Sequence, residues 1–123
     1  AAIRRYVDQP SLDVRAPPIV LGSEANGLAP GVALHAELLA LEEAGLEPFQ
    51  ALRAAGINAA EALGLGLRIG RIAPGAAADL VIVDGDPLAS VEDAIRVVAV
   101  IRNGRFFSAI GLIELAERAA TVE

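Results

Sequence analysis

The residues of this chain best placed to do chemistry are Ser23-Glu24-Ala25-Asn26, a polar loop between the short apolar run Ile19-Val20-Leu21-Gly22 and a helix. At the carboxyl end of a strand in a parallel α/β architecture, a carboxylate can bind a metal or take a proton from water. The spacing fits equally an ordinary strand-to-helix loop with Glu24 in solvent. Other candidates carry less. A self-contained zinc site needs a full set of Cys, His or carboxylate ligands, and the chain has one histidine and no cysteine. His35 falls beside apolar neighbours on a helix and reads as a packed or capping imidazole. Ser23, His35 and Asp84 can be written as a nucleophile, base and orienting acid, but nothing in their spacing singles them out. Glu42-Glu43 read as a solvated helix face, and Asp84 with Asp86 as a turn that bonds its own backbone. Gly64, Gly66 and Gly70 come near a dinucleotide-binding pattern, yet Ile69 stands where the third glycine belongs and no Walker lysine follows.

Composition narrows the classes. The 123 residues suit one domain. Hydrophobic residues make up 54% and aromatic ones 3%, which favours a core of Val, Ile, Leu and Ala in helix-on-sheet packing. A net charge of -6, with ten scattered arginines as the only strong bases, argues against nucleic acid as a partner. The lack of cysteine fits a reducing compartment, and cytoplasmic localisation is the expectation. No apolar run reaches the roughly 18 residues that a membrane span requires, and AAIRRYVDQP has no hydrophobic signal core after its arginines. The positive mean hydropathy points to surface meant for a partner.

The elements that must position Glu24 follow from periodicity. Residues 1–18 read as a linker or a short helix that stops before Pro10, and Ile19 to Gly22 as a strand. Leu34, Leu38 and Leu41 recur at helical spacing over Val32 to Ala44, with Gly45 as the terminator. Pro48 opens a second helix on which Phe49, Leu52 and Ala55 share a face, ending at Gly56. Asn58-Ala59-Ala60-Glu61 has capping-box spacing and predicts a third helix with Asn58 as N-cap. Ile69 to Pro87 reads as a β-hairpin about Pro74-Gly75. Its second strand sets Leu80 and Ile82 on one face and Val81 and Val83 on the other, so both faces require cover. Val91 to Ala94 reads as a helical turn and Val97 to Ile101 as a strand. Asn103-Gly104 predicts a type I′ hairpin turn, with Phe106 and Phe107 on the return strand. Helical spacing resumes from Ile110 to Ala119.

The order of these features resembles the C-terminal portion of the amidohydrolase superfamily, in the branch of imidazolonepropionases and prolidase-like hydrolases. Ile19 to Ala25 is similar to that family's last barrel strand and its G-[ST]-D-[AS] motif. Leu34 to Leu38 and Ala44 to Leu52 resemble its following helices, and Asn58 to Gly64 its N-x-A-x-x-L-G turn. Gly70 to Pro87 resembles G-x-I-x-P-G-x-x-A-D-L-V-x-x-D-x-D-P, and Val100 to Gly104 the V-I-x-x-G ending.

The resemblance implies an α/β fold: the last βα unit of a metal-dependent (β/α)8 barrel plus the C-terminal strands of a small composite β-sandwich domain. It divides the chain into the last barrel strand and following helices (1–66), sandwich strands (67–108) and a C-terminal helix (109–123). It implies a divalent metal, zinc first, in the complete enzyme, with none held tightly by this chain alone. The family's HxH motif, bridging lysine or glutamate and two further histidines would lie upstream of these residues. Glu24 aligns with the family's last-strand aspartate and inherits its role as metal ligand and catalytic group. Its extra methylene shifts the charge by about an ångström, so the site has either adapted to glutamate or lost rate. Two functions follow. One is the C-terminal fragment of a metal-dependent amidohydrolase that cleaves amide or other C–N bonds of a small-molecule substrate, partnered by the missing N-terminal barrel segment and inactive alone. The other is a stand-alone, non-catalytic remnant that acts as a structural or self-associating module, its open strand edges and apolar faces covered by oligomerisation.

Overall fold

A computed structural model describes residues 19–22, 27 and 29–121. Among these residues four helices are formed: α1 (Pro30–Glu43), α2 (Pro48–Ala55), α3 (Ile57–Ala62) and α4 (Ala109–Ala120). Three strands, β1 (Leu80–Val83), β2 (Val97–Arg102) and β3 (Arg105–Ser108), make an antiparallel sheet in the order β1-β2-β3, with a 3-10 turn at Val91–Ile95 ahead of β2. The fold is α/β, as expected. Among the described residues no helix is long and apolar enough to cross a membrane.

Helix α1 stops where glycine permits it to. Gly45 takes φ 103°, and its N–H donates to the Glu42 carbonyl at 2.9 Å while Leu46 N–H donates to the Leu41 carbonyl at 3.1 Å. This is the Schellman pairing, and Leu41 and Leu46 are both buried beside it. Gly64 ends α3 the same way, with φ 71° and a Leu65 N–H to Ala60 carbonyl bond of 2.7 Å. The core gathers Leu38, Leu41, Leu46, Ala51, Ala54 and Val91, with Ile19, Leu21, Leu52 and Ala55 against it. Helix α2 therefore presents Ala51 and Ala54 inward, rotated from the face expected of Phe49, Leu52 and Ala55. Phe49 is 56% exposed, and the Arg53 guanidinium lies over its ring at 5.7 Å. On so alanine-rich a helix hydrophobicity contrasts faces poorly, and steric fit decides: only methyl-sized side chains occupy the closest approach.

The expected hairpin at Ile69 to Pro87 forms in part. The turn at Pro74-Gly75 is present, with Ala76 N–H to the Ala73 carbonyl at 3.1 Å and Ala77 N–H to the Arg68 carbonyl at 2.7 Å. No ladder joins its two arms. Gly70, at φ 78°, lies against the junction of α2 and α3, where a Cβ on it would meet the Gly56 carbonyl oxygen at 3.0 Å. That docking draws the first arm away. Strand β1 pairs instead with β2, matching Leu80 to Ile101, Val81 to Val100 and Ile82 to Ala99, with a register shift before Val83 pairs Val97. The expected cover of both strand faces is not supplied by the described residues: Val81 is 61% exposed and Phe106 65%. Between β2 and β3 the Asn103-Gly104 turn has φ 49° and 76°, the paired positive values of type I′.

Candidate functional site

Glu24, the expected catalytic and metal-binding residue, lies outside the described residues, as do Ser23, Ala25 and Asn26. The segment leading into them is described, and its attachment is specific. Ile19 to Gly22 forms no ladder; a strand needs a neighbour, and among the described residues none lies alongside it. Its backbone is held by helices instead. Leu21 N–H donates to the Ala54 carbonyl at 3.0 Å, at the end of α2, and Asn58 Nδ2 donates to the Ile19 carbonyl at 3.0 Å. Ile19 and Leu21 turn into the core while Val20 faces outward, the alternation of an extended chain.

Asn58 therefore does different work from the N-cap expected of it. Helix α3 begins at Ile57 with Gly56 as N-cap and no side-chain cap. The Asn58 amide reaches 39 residues back along the chain to fix the lead-in to Glu24. Asn58→Ala strands the Ile19 carbonyl in a partly buried place and is expected to destabilise the protein by about 1–2 kcal/mol. Hydrogen exchange at the Leu21 amide should accelerate while exchange within α1 is unchanged; equal acceleration of both would show that Asn58 has no local anchoring role.

Glu42 departs from the solvated role expected of it, and Asp79, for which no role was expected, also makes specific bonds. Glu42 is half-buried, and its Oε2 accepts from Val91 N–H at 3.1 Å and from Ser90 Oγ at 3.5 Å. It ties α1 to the 3-10 turn that leads into β2, across 49 residues. Asp79 Oδ1 accepts from Asn103 N–H at 2.7 Å, while its other oxygen pairs with the Arg102 guanidinium. Neither partner could be foreseen from local spacing, although Asp79 stands within the A-D-L-V stretch of the signature. The turn at Asp84 to Pro87 behaves as expected, with Asp86 Oδ1 accepting from Leu88 N–H at 3.1 Å; Asp93 Oδ2 also accepts from Asp86 N–H at 2.8 Å. Gly64 and Gly70 serve helix termination and close backbone approach, and a Cβ at Gly66 would stand 2.5 Å from Glu61 Cγ. These roles account for the glycines without a bound phosphate.

His35 is half-buried on α1 in an open apolar groove of about 440 Å³, beside Val32, Ala36, Leu39 and Ile95. No group of three or more His, Cys, Asp or Glu able to hold a metal occurs among the described residues. Those residues alone do not form a metal site.

The described chain is thus a piece of an α/β scaffold, in which helices brace an extended segment that ends beside a candidate carboxylate. A family model described as the amidohydrolase family matches residues 14–107, and the chain belongs to that family. Among solved structures it is similar to an amidohydrolase (38% identity over 60% of this chain and 19% of that one, TM-score 0.55). It is also similar to molinate hydrolase (27%, 68% and 18%, TM-score 0.63) and to a Xaa-Pro dipeptidase with methionine bound in its active site (27%, 61% and 18%, TM-score 0.58). The chain spans about a fifth of the length of each of these structures. No curated protein sequence matches it.

Proposed function

We propose that this chain is the C-terminal portion of a metal-dependent amidohydrolase that hydrolyses amide or other C–N bonds of a small molecule. The observation that carries the reading is the double anchoring of Ile19 and Leu21 by Asn58 and Ala54, immediately before Glu24 and inside the family-matched span. In this reading Ile19 to Gly22 is the last barrel strand and finds its ladder partners in barrel strands upstream. Residues 1–66 complete the barrel, 67–108 contribute to the composite sandwich and 109–123 close the chain. The apolar surface of β1 and β3 is covered by that upstream partner. Metal ligands come from outside the described residues. Glu24 supplies a carboxylate that accepts a proton from the attacking water.

The test joins this chain to the polypeptide encoded upstream of it and follows hydrolysis of a panel of amides, with bound metal measured in parallel. Glu24→Gln keeps the size and removes the base, and should lower kcat at least about a hundredfold with bound metal retained. A fully metallated protein that cleaves none of the panel, or one whose turnover ignores Glu24→Gln, would overturn the proposal.

A further inference from the structure

The Asn103-Gly104 turn carries a reactivity that the hydrolase reading does not use. In an Asn-Gly step the glycine nitrogen, once deprotonated, can attack the asparagine Cγ. The new N–Cγ bond closes a succinimide while the Cγ–Nδ2 bond breaks and Nδ2 leaves as ammonia, taking up a proton. Solvent water then opens the ring at either carbonyl to give aspartate or isoaspartate. Glycine lacks the Cβ that would hinder this closure, and asparagine is among the thermolabile side chains. Asn103 and Gly104 are both exposed, and the space where a Gly104 Cβ would stand is open to 4 Å.

The attacking nitrogen is nevertheless occupied. Gly104 N–H donates to the Ala78 carbonyl at 3.0 Å, and the neighbouring Asn103 N–H donates to Asp79 Oδ1 at 2.7 Å. Both amides of the turn are thus fastened to consecutive residues of the segment entering β1, and the Arg102–Asp79 ion pair braces the same segment. A hydrogen-bonded amide gives up its proton only through opening, the rule that governs amide exchange. We infer that Asn103 is a deamidation site gated by the Ala78-Asp79 segment: closed while the segment holds the turn, reactive when it detaches. Isoaspartate lengthens the main chain by a methylene, which a two-residue type I′ turn cannot absorb. Aspartate sets a second carboxylate near Asp79. Either product disfavours reclosing, so an opening followed by reaction is recorded covalently.

The experiment incubates the protein at mildly alkaline pH, folded and in urea, and follows conversion at Asn103 by peptide mass spectrometry with isoaspartate detection. Asn26-Gly27, the same dipeptide, calibrates the intrinsic rate in the urea arm. Folded protein should deamidate at Asn103 at least about tenfold more slowly than unfolded protein. Asp79→Ala should recover most of that difference and Arg102→Ala part of it, with exchange at Val100 and Phe107 reporting that the β2–β3 ladder stays closed. Equal rates in the folded and urea arms would overturn the inference, as would an Asp79→Ala protein with an intact ladder and an unchanged rate. If Asp79→Ala unfolds the sheet, Arg102→Ala and the folded-to-unfolded ratio decide.

Discussion

Gly70→Ala is expected to lower the unfolding free energy by about 3 kcal/mol, from two sources. The first is conformational: at φ 78° an L-residue pays roughly 1–2 kcal/mol that glycine does not. The second is steric. A Cβ on Gly70 would stand 2.9 Å from Ala60 Cβ, 3.0 Å from the Gly56 oxygen and 3.1 Å from the Gly56 carbonyl carbon. None of those atoms is the far end of a flexible side chain, so the backbone must move, at about 1–3 kcal/mol. Gly75→Ala separates the two, because Gly75 has φ 86° but nothing within 4 Å of the added Cβ. It should lose only about 1 kcal/mol. Urea unfolding midpoints measure both, and equal losses would show that Gly70 is not in contact with the start of α3.

Leu41→Ala is expected to lower stability by about 3 kcal/mol, within the range for deleting a buried leucine side chain. Leu41 is buried in the cluster that joins α1, α2 and the 3-10 turn, and five of the nine buried apolar residues among those described are alanines. Few large side chains remain to fill the cavity. The substitution also removes one half of the Leu41–Leu46 contact that accompanies the helix-ending hydrogen bonds, so α1 should fray at its C-terminal end. Leu39→Ala, on the exposed side of the same helix, should change stability by no more than about 0.5 kcal/mol. Circular dichroism through a urea titration compares the two, and similar losses for both would contradict the core assignment.

What was legible in the sequence was local. Leucines at helical spacing closed by Gly45 specify α1, and Asn103-Gly104 specifies its turn, because the information lies within a few residues. What was not legible depends on distant partners. The capping spacing at Asn58 is real, yet its amide is drawn to the Ile19 carbonyl; Glu42 looks like a solvated carboxylate until Val91 is folded onto it. The two arms at Ile69 to Pro87 have the pattern of a hairpin, but one docks on the helices and the other on β2. Phe49 misled about the face of α2 because hydrophobicity ranks phenylalanine above alanine, whereas close approach between backbones favours the methyl group. The family motifs carried the identification where periodicity could not. Glu24 stood out by its place in a polar loop after an apolar run, a pattern that fits a solvated loop equally well; the motif alignment gave it a role, and it lies outside the described residues.

Ala51 and Ala54 have no exposed surface, and the carbonyl of Ala54 meets the Leu21 N–H at 3.0 Å. The cluster against which Ile19 and Leu21 pack is therefore thin where α2 enters it, and this thinness acts as a gauge block for how far the extended segment stands off from the helices. A thicker side chain on that face of α2 would shim the segment outward and pull the Leu21 N–H away from the Ala54 carbonyl. The stand-off of Ile19 to Gly22 is thus set from behind, by the thinness of the helix face it rests on.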